Sequence, residues 1–247
     1  MIQFTLLGIT IKPESRKNIL EKIKKYIGRP NGFCHIISVN PENLIIAREN
    51  ESFKKVVETA QIQIIDGAGI ILAGKYAGSP LMERFTGVDL MEELIKWAGK
   101  ERIRTMLIGG YPEVADRLAK CYTQTYAQSN FLGITGINDI KNPQKNEEKE
   151  LFSIVSAFMP QIVFVSFGSP AQELWIEQHR KELQGAVCMG VGGAYDFLSG
   201  RTARAPKFIR SIGLEWLYRL ISQPWRFRRQ LRLLKFIGLV IKEKFAG

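Results

Sequence analysis

Histidine is scarce in this chain: of 247 residues only His35 and His179 are histidines, and neither has a second metal ligand at helical spacing. Cysteine is scarce too. Cys34, Cys121 and Cys188 are odd in number, widely spaced and without a Cys-x-x-Cys, which argues against a disulfide framework or a zinc site. No Asp-x-Asp occurs, the pair with which many sugar-nucleotide enzymes bridge a metal to diphosphate, so a metal-dependent mechanism is disfavoured. Near the C-terminus the longest uncharged apolar run is residues 236–241, far short of the roughly 20 residues of a membrane-spanning helix. The first residues lack a basic stretch and a small-residue cleavage site, so a secretory leader is not expected. A P-loop fails because Tyr76 stands where Ser or Thr would hold Mg²⁺ after Gly74-Lys75. A dinucleotide fingerprint fails because Tyr195 takes the third glycine position after Gly190 and Gly192.

What is present is a globular composition, 45% hydrophobic, with no low-complexity tract. Through residue 200, β-like runs at 4–11, 33–39, 61–65, 105–108, 162–167 and 186–189 alternate with helical stretches. The helical stretches are at 13–27, 41–48, 67–76, 88–99, 113–127 and 170–183. Uninterrupted Val, Ile and Phe runs separated by helices predict an α/β fold, a mainly parallel Rossmann-like sheet with helices on both faces. Such sheets bind ligands beyond the carboxyl ends of their strands. The polar and glycine residues sit at those ends: Ser38 and Asn40, Asp66 to Gly69, Gly109 and Gly110, Gly168 and Ser169, and Gly190 to Gly193. One such turn is ordinary loop chemistry; five on one expected edge favour a phosphate or nucleotide ligand.

Charge divides the chain unequally. Residues 201–247 hold 12 Lys/Arg against Glu215 and Glu243, or +10 of the total +11. Large apolar and aromatic side chains interleave with these cations, so the expected division is a core at 1–200 and a basic, amphipathic helical appendage at 201–247. That combination points to an anionic membrane surface on which the protein lies. Nucleic acid is the rival partner, and it would want exposed arginines with fewer apolar neighbours.

Six segments belong together: Asn40-Pro41-Glu42, Asp66-Gly67-Ala68-Gly69-Ile70, Glu83-Arg84-Phe85-Thr86-Gly87-Val88-Asp89-Leu90 and Gly168-Ser169-Pro170-Ala171-Gln172-Glu173, then Gly190-Val191-Gly192-Gly193 and Gly213-Leu214-Glu215-Trp216-Leu217-Tyr218-Arg219-Leu220, reading on to Arg229. In this order and combination they resemble the WecG/TagA/CpsF family of bacterial glycosyltransferases. The resemblance implies an inverting, metal-independent transfer, without cofactor, from a UDP-sugar to polyprenyl-diphosphate-linked N-acetylglucosamine. N-acetylmannosamine is the sugar of the best-known branch, and N-acetylmannosaminuronic acid or hexose donors stay open. It also implies a cytoplasmic protein, peripheral on the inner face of the cell membrane, and leaves a homo-oligomer open. A basic nucleic-acid-binding protein and a nucleotide-sensing scaffold without catalysis are the readings it opposes.

An inverting displacement needs one base. Asp66 is the candidate and matches the family's proposed base; its structural alternative is a cap for the helix at 67–76. Arg84 is expected on phosphate or sugar, or else in an ion pair with Glu83 or Asp89. Arg219, Arg226 and Arg229 match positions the family is thought to fold over the active site, where arginines can replace a metal at the leaving diphosphate. Otherwise they are solvated or lipid-facing charges. Asn40 and Gln172 are expected at sugar or acceptor, Ser38 stands where relatives often carry Thr, and Asp196 faces a ribose hydroxyl or caps a turn. Gly109, Gly110, Gly168, Gly192 and Gly193 would admit UDP to backbone N–H groups.

Overall fold

The computed structural model describes residues 3–76, 78, 83–224 and 227–245, without the side chains at 228, 229, 244 and 245. The chain opens as a hairpin of β1 (Phe4–Leu6) and β2 (Ile9–Ile11), a separate two-stranded antiparallel sheet. The alternation at 4–11 predicts one strand; a two-residue turn at Leu7 and Gly8 divides it. Next come α1 (Arg16–Gly28), β3 (Cys34–Val39), α2 (Pro41–Glu49), α3 (Glu51–Thr59), β4 (Ile62–Ile65) and α4 (Ala68–Tyr76). They are followed by α5 (Gly87–Glu101), β5 (Thr105–Gly109), α6 (Val114–Thr125), β6 (Phe131–Ile134), α7 (Lys145–Phe158) and β7 (Ile162–Ser166). The core ends with α8 (Ala171–Gln178), β8 (Val187–Gly190) and α9 (Ala194–Leu198), before α10 (Lys207–Ser211), α11 (Glu215–Ser222) and α12 (Phe227–Phe245).

Six strands form one all-parallel sheet in the order β4-β3-β8-β7-β5-β6. Both faces are apolar, as buried parallel strands require. Ile36, Ile64, Leu107, Phe164 and Met189 pack on one side with α1, α5, α6 and α9. On the other side Ile37, Val39 and Ile65 join the hairpin, α2 and α3, while Met106, Val163 and Cys188 join α7 and α8. The fold class is therefore the one expected, an α/β sheet core followed by basic C-terminal helices. The crossover from β4 to β5 passes over three strand positions; β6 then adds at the outer edge and β7 and β8 fill back toward β3, so β5 and β7 connect onward in opposite directions. That arrangement opens a crevice at the strand ends.

The C-terminal helices do not stand apart from this core. Phe236 (2% exposed) and Val240 of α12 belong to the apolar cluster beneath α2 and the hairpin. Arg232 pairs with Glu42 at 2.8 Å, Lys235 with Glu49, and the Leu7 N–H donates to the Glu243 carboxylate at 3.1 Å. Gly213, at φ 80°, turns the chain between α10 and α11 where a Cβ would stand 2.5 Å from Ala68 Cβ. Part of the tail's positive charge is thus spent within the molecule. Phe236→Ala should cost about 3–5 kcal/mol by cavity formation. Leu234→Ala, at a site 65% exposed, should change stability by less than about 0.5 kcal/mol. Urea unfolding of the two variants measures the contrast.

Candidate active site

Five of the six sheet strands, β4, β3, β8, β7 and β5, are consecutive neighbours, so the five polar and glycine-rich ends meet along one edge. They border a cleft of about 480 Å³. Its lining includes Ser38, Asn40, Asp66, Gly110, Gly168, Gln172, Gly192, Gly193, Asp196 and Arg219 from the sequence-predicted set. Gly109 is not in the lining; it is buried behind Phe167, whose ring lies 2.8 Å from where its Cβ would be. Asn43, Ser166, Ser169, Glu173 and Tyr111 also line the cleft, and the sequence reading assigned them no role.

Asp66 follows β4, and its Oδ2 accepts the Gly87 N–H at 3.1 Å. Gly87 opens α5, so the carboxylate lies at a helix N-terminus, where the dipole favours negative charge. This is not the helix that adjacency in sequence suggests: the carboxylate meets α5, and not the helix that directly follows it. Space at residue 87 is tight: a Cβ would stand 3.1 Å from Ser38 Oγ and 3.3 Å from Met189 Cε, so these neighbours would have to give by a few tenths of an ångström. Burial pushes the Asp66 carboxyl above its ordinary range, and the Gly87 amide, Arg84 and Arg219 offset this only in part, while Glu215 adds to it. Such a group holds its proton more tightly than a surface aspartate yet keeps donors aimed at its ionised form.

Behind the cleft a polar network fixes the loops. Gln172 Oε1 accepts the N–H groups of Gly168 and Gly192, both at 3.1 Å, and its Nε2 donates to Glu173 Oε1 at 2.7 Å. Gln172 therefore fastens two glycine loops together, a duty its sequence motif did not reveal. Asn40 caps α2 by accepting the Asn43 N–H at 2.9 Å. Asn43 in turn donates to the Ser38 carbonyl at 2.8 Å and accepts from Ser169 Oγ at 3.0 Å. Glu173 is buried, which pushes its carboxyl up against the lowering influence of Gln172. Tyr195, in the dinucleotide position that fails, is wholly buried and bridges β5 and β7. Its hydroxyl accepts from Ile108 N at 3.1 Å and donates to the Phe164 carbonyl at 2.9 Å. That bond anchors α9 and so positions Asp196.

The tail closes one side of the cleft. Arg219 of α11 lies over the Phe197 ring, 4.3 Å from its centroid, so Phe197 supplies a platform for this cation. At the lip, Arg201 stacks on Tyr111 at 3.5 Å. Arg84 does not line the cleft. Its Nη1 donates to the Arg210 carbonyl at 2.5 Å and its Nη2 faces Glu215 at 3.7 Å. Neither expected ion-pair partner is used: Glu83 accepts the Arg16 N–H, and Asp89 pairs with Arg204 and Arg210. Arg226 lies outside the described residues, as does the side chain of Arg229. His179 is buried against Phe152 and Trp175, with Nε2 3.0 Å from Glu148 Oε1.

The Asp66 environment makes a prediction about stability. A carboxyl raised on folding contributes stability that is fully present below its unfolded pKa and lost as pH rises through its folded value. At neutral pH the ionised Asp66 therefore opposes folding, and Asn can still accept from Gly87. Asp66→Asn should melt at or above the wild-type temperature at pH 7–8, with the difference shrinking toward zero as pH falls below the ordinary carboxylate range. Calorimetric scans across pH test the sign.

A strand-edge cleft with one carboxylate at a helix N-terminus, glycine amides around it and an arginine above it suits transfer chemistry on an anionic, phosphate-bearing substrate. The Glycosyl transferase WecG/TagA/CpsF family model matches residues 4–247, essentially the whole chain. This chain belongs to the WecG/TagA/CpsF family of glycosyltransferases.

Proposed function

We propose that this glycosyltransferase of cell-surface polysaccharide synthesis moves N-acetylmannosamine from a UDP-sugar to polyprenyl-diphosphate-linked N-acetylglucosamine. The transfer is one inverting, metal-independent displacement. The observation that carries this reading is the Asp66 carboxylate, which accepts the Gly87 N–H and lines the cleft together with Arg219. In the proposed step the acceptor hydroxyl oxygen bonds to the anomeric carbon from the face opposite the diphosphate. Asp66 takes the hydroxyl proton, and the anomeric carbon–oxygen bond breaks with its electron pair leaving on UDP. A raised carboxyl suits a base that must keep the proton it gains.

The charge released on UDP is offset by Arg219 and by the backbone N–H groups of the glycine loops that Gln172 ties together. Arg226 and Arg229 join Arg219 in the proposed cationic set. Arg84 stands outside the cleft, where its contact with Glu215 steadies the start of α11 and its charge lowers the Asp66 carboxyl. Ser38 and Asn40 face the sugar or acceptor, and Asp196 the ribose.

The acceptor's lipid calls for a membrane, and among the described residues no helix is long and apolar enough to cross one. Exposed Phe208, Ile212, Ile221, Phe227 and Leu234 lie among the tail's cations, which supports docking on the inner, anionic face of the membrane. The test is UDP release from several UDP-sugars with a short-chain polyprenyl-diphosphate-GlcNAc analogue, with and without EDTA. Release with UDP-N-acetylmannosamine, unchanged by EDTA and about 100-fold or more slower in Asp66→Asn, is expected. Chelator-sensitive turnover, or near wild-type rates without Asp66, would overturn the mechanism.

A further inference from the structure

One tail cation stands outside the cleft yet touches both of the segments that shape it. Arg204 has a side chain only 14% exposed. Its guanidinium meets Asp89 Oδ1 at 2.7 Å, Glu92 Oε1 at 3.3 Å and Glu215 Oε1 at 3.5 Å, and it donates to Thr86 Oγ1 at 3.3 Å. Thr86 and Asp89 are the cap and first turn of α5, joined by a Thr86 Oγ1 to Asp89 Oδ2 bond of 2.6 Å. Glu215 is the first residue of α11, one turn before Arg219. The first helix presents the Gly87 N–H to Asp66, and the second carries the cleft's arginine. Arg204 is the side chain that ties their beginnings together.

We propose that Arg204 is a positioning residue: by seating α11 on the N-terminus of α5, it sets where the Arg219 guanidinium stands relative to the Asp66 carboxylate. This rests on the proposed roles of Asp66 as base and Arg219 as the diphosphate's cation. Oxygens from two separate helices, α5 with its cap and α11, converge on one planar group, a geometry that the fixed fork of guanidinium meets and a lysine ammonium does not. Arg210 adds a contact to Asp89 at 3.6 Å, and Arg84 reaches Glu215 and the Arg210 carbonyl. Arginines 84, 204 and 210 thus balance Asp89, Glu92 and Glu215. A partly buried, charge-balanced cluster contributes geometry at a modest net energy; removing one member leaves its partners uncompensated.

Asp66 can report on this arrangement from inside the protein. The charges that bear most on it are Arg84 from the segment before α5, and Glu215 and Arg219 from α11, with the Gly87 amide from α5 itself. A shift of α11 that withdraws Arg219 would remove a cation that favours the ionised form, while Glu215 at the start of the same helix, still held by Arg84 at 3.7 Å, keeps raising the carboxyl. The proposal is therefore tested on the full-length chain by ¹³C-carboxyl NMR titration of Asp66 in wild type, Arg204→Gln, Arg204→Lys, Arg219→Gln and the Gln/Gln double variant. Turnover of the same proteins is measured alongside.

Arg204→Gln should raise the Asp66 midpoint in the same direction as Arg219→Gln, and the double variant should move it little further. Turnover should fall on the order of 100-fold in kcat with a smaller change in donor KM, and the two rate losses should not multiply. Arg204→Lys should fall between wild type and Arg204→Gln. An Asp66 titration that superimposes on wild type, or rate losses that multiply in the double variant, would overturn the proposal and leave Arg204 a structural brace. Near-UV circular dichroism at assay temperature checks folding. If Arg204→Gln is unfolded, Arg204→Lys decides: a shifted midpoint supports the proposal, and an unmoved one defeats it. A shifted midpoint in a protein that turns over no UDP-sugar would instead defeat the functional reading and spare the clamp.

Discussion

The bond from the Gly87 N–H to the Asp66 carboxylate joins the two structural units on which the cleft depends, the sheet edge and the N-terminus of α5. Two opposing effects meet there. Desolvation resists the ionised form, while an amide at a helix start and nearby guanidiniums favour it. A base needs both: enough resistance to hold a proton, and enough support to be ionised before the proton arrives. The glycine at residue 87 eases this closeness, since a Cβ there would crowd Ser38 and Met189. The Thr86 cap and the Asp89, Arg204 and Glu215 contacts hold that helix start in place.

The tail gains a second meaning from the same geometry. Its charge first suggests an anionic partner, yet Arg204, Arg210, Arg232 and Lys235 pair with carboxylates of the core. Phe236 and Val240 complete an apolar cluster of the first 200 residues. Cutting the chain at residue 200 would therefore open the core as well as remove cations, and single substitutions are the cleaner probe. On the proposed reading, the cations and apolar side chains that remain outward meet the membrane, while Arg219 turns inward on Phe197. Lipid docking and completion of the site then involve the same helices.

Much of this was legible in the sequence because parallel sheets concentrate function at strand ends, and strand ends are marked by abrupt changes from Val and Ile to Gly, Asp and Asn. Ser38, Asp66, Gly110, Gly168 and Gly192 could be read in that way. The short β6, set among polar loops with only Phe131 of its residues fully buried, gave no comparable signal, and neither did α3 or α7. Long-range pairing was the larger blind spot. Arg204 lies 112 residues from Glu92, so local spacing cannot distinguish it from a solvated tail cation. Arg84 is expected on phosphate or sugar or in an ion pair within its own segment, but its partners come from α10 and α11. Gln172 looked like a ligand contact because its amide offers a donor and an acceptor, but the fold uses the acceptor to join two loops and the donor to hold Glu173.

The central claim is a displacement at one base, and the cleft makes this a real question because it also holds Glu173 and Asp196. A second carboxylate acting as nucleophile would give a covalent intermediate and two inversions. The most direct measurement is the one-bond C1–H1 coupling of the newly formed glycosidic linkage, read by NMR and compared with that of the UDP-sugar consumed. The expected result is a product of opposite anomeric configuration to the donor. A product of the same configuration would contradict a single displacement with Asp66 as its base.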